Sequence, residues 1–308
     1  MLLKLVWLLV ALLAITVAIR LIAGFWIWLS KGEKSKRYVE EPEDDTPELA
    51  HARQVDEDFW CRRQRLKLKW EGKEPPPKRG FVEVFKAHLV LREHFMDHLK
   101  LGWYQYVMLF FIASILGLVI EEVWMYFMYG VTESRVGLVW GPFSPLYGSG
   151  AIILTVIFFY MRRAGAKWWL IFVVSMAVGG ILEQLVGWGM YTFMGASSWD
   201  YSEVPGAITQ WVAVPFLFFW GILGLVWAKI LMPEMLFAIG KKTTKRQAVF
   251  ITLLSIYLIA DILMTLACFD RLSERERGIP PAGPFEEWID THFSDEFVEN
   301  RFENMKIE

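Results

Sequence analysis

Hydrophobic and polar positions are arranged in long blocks along this chain. Six apolar runs cover residues 5–29, 106–128, 147–161, 168–194, 208–231 and 248–269. A helix needs roughly 20 apolar residues to cross a hydrocarbon core about 30 Å thick. The pattern therefore predicts an all-α, polytopic membrane helix bundle with about six transmembrane helices.

The polar segments between these runs divide the chain into five predicted regions. These are an N-terminal transmembrane anchor (1–30), a charged cytoplasmic linker ending in an amphipathic juxtamembrane helix (31–103), a membrane core (104–232), a cytoplasmic loop with the last transmembrane helix (233–269), and an acidic C-terminal tail (270–308). Within the linker, residues 40–58 are acidic and residues 62–79 are basic. The basic stretch either lies on anionic lipid headgroups or stays solvated and pairs with its acidic neighbour.

The distribution of Lys and Arg predicts the orientation. Basic residues cluster directly after the first, third and fifth runs, whereas Arg135 is the only one in residues 130–146 and none lies between Gly195 and Gln210. Because cytoplasmic loops carry the excess of positive charge, loops 130–146 and 195–207 are expected outside. The C-terminal tail is then expected on the outer side as well.

Composition excludes several classes of function. Of the 308 residues, 55% are hydrophobic and 21% charged, and the net charge is −2. With no basic stripe among exposed aromatics, we expect no nucleic-acid partner. No histidine lies within an apolar run, and the pair His94 and His98 lacks a third ligand, so we predict no metal site, no cofactor and no catalytic residue. Cys61 and Cys268 do not suggest a disulfide framework.

Four carboxyl groups lie inside the apolar runs, at Glu121, Glu122, Glu183 and Asp261. Small residues precede two of them at four-residue intervals, as Ala113-Gly117-Glu121 and Ser175-Gly179-Glu183. Membrane helices pack closely along such seams, so both glutamates should face the bundle. These glutamates mark a functional site. Alternatively, their carboxyl groups are protonated and form hydrogen bonds between helices, each worth about 0.6 kcal/mol. Asp261 has no seam, which favours the hydrogen-bonding interpretation there.

The two outward loops carry the other unusual residues. Residues 141–148 contain two prolines and two glycines, which suit a fixed re-entrant turn, and residues 199–202 read Trp-Asp-Tyr-Ser. Each loop follows a seam glutamate and leads into another span. This indicates a parallel internal repeat of spans two and three with spans four and five, although a chance spacing of glycines would look similar.

These features predict an outward cavity that is acidic and rimmed by aromatic side chains. Its glutamates would bind a cation, a proton or a cationic headgroup. The predicted ligand-binding residues are Glu121, Glu183, Trp140, Tyr147, Trp199, Asp200 and Tyr201.

At these residues the chain resembles the CmpB-like family of bacterial multi-pass proteins, described as ABC-transporter permeases. The resemblance covers about residues 106–232 and rests on Gly117 with Glu121, GLVWGPFSPLYGSG at 137–150, Glu183, WDYS at 199–202, and Trp220-Gly221. It departs between Ser202 and Trp220, where the family's Asn-containing stretch is absent. The resemblance implies a non-enzymatic, permease-like subunit in the bacterial plasma (inner) membrane, in contact with membrane lipid and served by a separate ATPase subunit.

Two other functions stay open at this point. The long charged linker and tail would suit an accessory or structural subunit of a larger membrane complex. The adjacent pair Glu121 and Glu122 would suit the acid and base of an intramembrane lipid-modifying enzyme, although Tyr126 stands where membrane proteases with such a pair have Arg.

Overall fold

The computed structural model describes residues 16–17, 20–21, 24–25, 28–29, 46–63, 72, 74–241, 244–303 and 305–307. The first predicted span, 5–29, lies mostly outside these residues. The chain divides into two compact units, one of Met1–Lys100 with Gly240–Thr252 and one of Leu101–Ile239 with Leu253–Glu308.

The first unit contains a helical hairpin of α1 (Pro47–Arg63) and α2 (Phe81–His98). The buried apolar residues are Leu49, Ala52 and Val55 on α1 and Ala87, Leu91, Phe95 and Met96 on α2. The predicted helix at 81–101 is therefore present and ends at His98. Much of its apolar stripe packs in the hairpin, an arrangement that differs from a helix lying alone along the membrane.

The first unit also contains the beginning of the last long helix. Residues 244–250 contact the end of the first predicted span, where Thr244 Oγ1 donates to the Leu29 carbonyl at 2.7 Å and Phe250 packs edge-on against Phe25. The Arg246 guanidinium lies 4.8 Å from the centre of the Trp28 ring.

Five helices in the described part of the chain are long and apolar enough to cross a membrane. They are α3 (Trp103–Tyr129), α4 (Pro145–Arg163), α5 (Trp168–Met194), the run of α6 (Val214–Val226) through a π-helical turn (Trp227–Leu231) into α7 (Met232–Ile239), and α8 (Lys245–Glu276). The predicted all-α, polytopic bundle is confirmed.

The core of the second unit consists of two helical hairpins, α3 with α4 and α5 with α6. Each first helix has 27 residues and ends at a glycine with a left-handed backbone, Gly130 at φ 69° and Gly195 at φ 58°. Each second helix has proline in its first turn, Pro145 or Pro215. These shared features support the predicted repeat of the two hairpins.

The predicted start of the fifth span at residue 208 is wrong. Residues 207–213 form a β-hairpin of β2 (Ala207–Thr209) and β3 (Val212–Ala213), and the helix begins at Val214. The Thr209 hydroxyl accepts hydrogen bonds from the backbone N–H groups of Trp211 and Val212, which closes the turn. The apolar run hides this turn because the strand residues are themselves hydrophobic.

The C-terminal residues fold back over the two loops. We call α9 (Pro284–His292), α10 (Asp295–Arg301) and the strand β4 (Lys306–Ile307) the C-terminal cap. The strand β4 pairs antiparallel with β1 (Ala196–Ser197) in the second loop, and Arg301 donates to the Leu138 carbonyl in the first. The cap therefore lies at the same end of the bundle as both loops, and the outward position of that end stays a prediction.

Candidate functional site

Glu121 lies on α3 and is half-buried beside a cation and a phenol. Its Oε1 accepts a hydrogen bond of 2.9 Å from Nη1 of Arg135, which belongs to the first loop. The Tyr147 hydroxyl, near the start of α4, interacts with the same carboxylate. Arg135 and Glu121 keep only 13% and 26% of their side-chain surface exposed, so this ion pair is stronger than one in open solvent.

Glu183 occupies the equivalent position on α5, but its surroundings differ. The residue is 7% exposed, and its carboxyl interacts with the Trp220 indole of α6 and the Tyr201 hydroxyl of the second loop. Its Oε2 atom is buried without a hydrogen-bond partner. Within the described residues no Lys, Arg or His forms an ion pair with Glu183.

Tyr201 links the two glutamates electrostatically. Its phenol stacks on Phe216 with ring centroids 4.2 Å apart, and its backbone N–H donates to the Gln210 carbonyl at 2.7 Å. Burial raises the pKa of the Tyr201 hydroxyl above its ordinary value, and the negative charges of Glu183 and Glu121 raise it further. Tyr201 therefore stays protonated and donates toward the Glu183 carboxyl.

Two glycines allow an aromatic ring to lie beside each seam glutamate. A Cβ at Gly117 would overlap the Tyr147 ring, and a Cβ at Gly179 would overlap the Trp220 ring. Each glycine lies four residues before its seam glutamate, so the ring that fills the gap also reaches the carboxyl one turn further along. Tyr147 with Glu121 and Trp220 with Glu183 are thus the same arrangement in both hairpins.

The structure brings Glu121, Glu183, Tyr147 and Tyr201 together, and the other predicted site residues lie elsewhere. Trp199 is half-buried and donates from Nε1 to the Trp211 carbonyl at 3.1 Å. Asp200 is exposed and accepts hydrogen bonds from the N–H and hydroxyl of Ser202, which forms a turn. Both residues shape the second loop.

Trp140 belongs to a different cluster, under the C-terminal cap. It packs against a buried core that includes Val139, Phe269, Phe293 and Phe302. Its backbone N–H donates at 2.9 Å to Oδ1 of Asp261, which is fully buried on α8. Asp261 therefore holds the first loop, and this bond joins a helix to a loop rather than two helices as the hydrogen-bonding interpretation expects.

Glu122 is exposed, whereas its neighbour Glu121 turns toward Arg135. The structure therefore does not bring these two carboxyl groups together as an acid and base pair. In the described part of the chain, no three His, Cys, Asp or Glu side chains are grouped closely enough to hold a metal ion.

Sequence reasoning missed three contributors to this region, Arg135, Trp220 and Arg301. Arg135 could have been found, because it is the lone basic residue of an outward loop that follows an intramembrane glutamate. Trp220 was noted only as part of a motif, and its contact with Glu183 depends on the close approach at Gly179. Arg301 carried no signal, since only the folded-back cap brings it to the loop.

A family model described as "Putative ABC-transporter type IV" matches residues 108–266, more than half of the 308 residues. The chain belongs to this family. The match includes both hairpins, both seam glutamates and the Asp261 segment of α8. The motifs that carry the resemblance end near residue 232, whereas the family match continues to residue 266 and so includes much of α8. No curated protein and no solved structure matches the chain.

Proposed function

We propose that this membrane protein of transport type is a permease-like subunit whose acidic, outward site binds a cation. The site comprises Glu121 and Glu183 with Tyr147 and Tyr201, one carboxyl and one phenol from each half of the repeat. Trp140, Trp199 and Asp200 shape the loops around its opening. The family match and the five span-length helices support the transport class.

The observation that carries the proposal is the difference between the two glutamates. Arg135 offsets the charge of Glu121, whereas Glu183 has a buried oxygen with no partner. Burying a carboxyl group without compensation is costly, so the second position favours a bound positive charge. A proton, a metal monocation or the ammonium group of a lipid or amine would each supply it.

Glu183 would bind the cation directly, and Tyr201 and Trp220 would fix the orientation of its carboxyl. Their interactions leave Oε2 as the free acceptor. Arg135 limits the site to a single added charge because it already neutralises the neighbouring glutamate. Aromatic faces beside a carboxylate also suit an organic cation, through cation–π attraction.

Thermal unfolding of the purified protein with NaCl, KCl or tetramethylammonium chloride, matched in ionic strength and repeated across pH, tests this proposal. A ligand at about 100 times its Kd stabilises a folded protein by about 2.7 kcal/mol. We expect one of these cations, or acidification, to raise the unfolding temperature of the wild type and of Glu122→Gln much more than that of Glu183→Gln. Glu122 is the matched control because it is an exposed glutamate on the same helix as Glu121. An equal response in Glu183→Gln would refute the site.

We also propose that the chain resides in a bacterial plasma membrane and works with a separate ATPase subunit. The predicted cytoplasmic segments, 31–103 and the loop before α8, would contact that subunit. Purification in mild detergent tests the partner. Recovery of an ATPase supports the permease function, and recovery of stable non-ATPase membrane subunits supports an accessory role in a larger complex.

A further inference from the structure

The hairpin of the first unit leaves a cluster of large apolar side chains exposed at one end. Phe81, Val82 and Phe85 are 83%, 63% and 52% exposed, and the Phe81 and Phe85 rings stack with centroids 6.3 Å apart. They lie on the first turns of α2, whereas its buried residues begin at Ala87. A contiguous exposed apolar patch of this kind marks an interaction surface.

An ion pair and a hydrogen bond hold this end of the hairpin in place. Arg79 contacts Asp58 at 2.6 Å, and Arg62 Nη1 donates to the Pro76 carbonyl at 2.8 Å. These contacts join the end of α1 to the segment that leads into α2. We call residues 60–63 and 74–86 the hairpin tip. Its exposed rings are thus presented on a fixed scaffold.

A strongly basic stretch of the sequence leads into the patch. Residues 62–79 contain eight Lys or Arg and two Glu, a net charge of +6, and the one acidic residue among 81–85, Glu83, pairs with Arg79 at 2.9 Å. Lys78 and Lys86 are exposed on either side of the three apolar residues. Aromatic side chains surrounded by lysines suit the interface of a membrane, where the rings enter the headgroup region and the ammonium groups meet anionic lipid.

We propose that the hairpin tip docks on anionic phospholipid, with Phe81, Val82 and Phe85 inserted between the headgroups. A protein partner would have to match both the flanking lysines, Lys78 and Lys86, and the protruding rings, whereas an anionic leaflet satisfies both at once. Along the sequence, only four residues separate α2 from the span-length helix α3.

A fluorescent label at the patch tests the proposal in the full-length protein. Phe85→Cys in a Cys61→Ser background presents a single accessible thiol, because Cys268 is buried. The labelled protein is reconstituted into nanodiscs of phosphatidylcholine alone or with about 30 mol% phosphatidylglycerol. We expect a blue-shifted emission and a roughly threefold or larger loss of quenching by aqueous acrylamide with the anionic lipid only. Salt at about 1 M, where the Debye length is about 3 Å, should reverse part of the effect.

A label at Glu299→Cys in the same background is the matched control. Glu299 is exposed on α10 of the C-terminal cap, outside the first unit, and should respond to neither lipid. Adding Lys78→Glu and Lys86→Glu to the Phe85→Cys protein should abolish the response. Equal exposure of the Phe85→Cys label in both lipids would overturn the proposal. Protection that appears only when a soluble ATPase subunit is added would overturn it as well, in favour of a protein-docking surface.

Discussion

Asp290→Asn should weaken the attachment of the C-terminal cap to α8. Asp290 on α9 accepts hydrogen bonds from Arg271 at 3.1 and 2.7 Å and from Arg275 at 2.6 Å. The Arg271 side chain is only 2% exposed, so it depends on these carboxylate contacts. The substitution removes the negative charge, keeps the volume and leaves a single acceptor oxygen.

The structure limits the size of the effect. Breaking a buried ion pair costs about 3–5 kcal/mol, but Arg271 keeps its contacts with Glu274 and Glu286, and Asp290 is 22% exposed. We therefore expect a loss of about 2–3 kcal/mol in the free energy of cap opening, within the range for hydrogen bonds to charged groups. This corresponds to amide exchange about 30- to 150-fold faster, since 1.4 kcal/mol is a factor of ten.

Hydrogen exchange with mass spectrometry across residues 284–303 measures this opening in detergent or nanodiscs. Asp295→Asn is the matched control, because Asp295 is 54% exposed and, among the described residues, forms its ion pair with Arg275 alone. That pair should be worth less than about 1 kcal/mol. If Asp290→Asn exchanges within about threefold of the wild type, or no faster than Asp295→Asn, the buried ion-pair argument is wrong.

Two further predictions concern packing and pH. Gly179→Ala should lower the free energy of unfolding by about 1–3 kcal/mol because its Cβ overlaps the Trp220 ring, whereas Gly189→Ala, with nothing within 4 Å of the new Cβ, should change it by less than about 1 kcal/mol. Thermal unfolding measures both, and equal destabilisation would contradict the packing argument. Arg271 holds the pKa of Asp290 below its ordinary value. Ionised Asp290 therefore stabilises the cap fully at pH values above the unfolded Asp pKa of about 3.9. This stabilisation is lost as the pH falls through the lower pKa that Asp290 has in the folded protein. Cap exchange corrected for intrinsic rates should rise at acidic pH, and a profile unchanged by Asp290→Asn would contradict this.

Much of the membrane architecture follows from the sequence because each span needs a long apolar run. The seam glutamates were also predictable, since Gly117 and Gly179 at four-residue spacing place small residues and carboxyl groups on one helix face. Periodicity identifies such a face but not its partner. The contacts of Glu121 with Arg135 and of Glu183 with Trp220 depend on how loops and helices meet in three dimensions.

The loops were the hardest part to predict. Its position in the first loop predicts that Trp140 lines the glutamate site, yet it packs under the C-terminal cap. The cap reaches the loop through Arg301, which is 160 residues from Gly141 along the sequence. Contacts over such separations leave no periodic pattern, and the hairpin at 207–213 was masked because its apolar residues extend the run of the following helix.

The most direct test of the proposed site is a double-mutant cycle of Glu121→Gln and Glu183→Gln, read out as the binding free energy of whichever cation stabilises the wild type. If the two carboxyl groups share one site, the effects of the single substitutions should be non-additive by more than about 0.5 kcal/mol. Additivity within about 0.3 kcal/mol, or unchanged binding in the Glu183→Gln protein, would contradict a shared site.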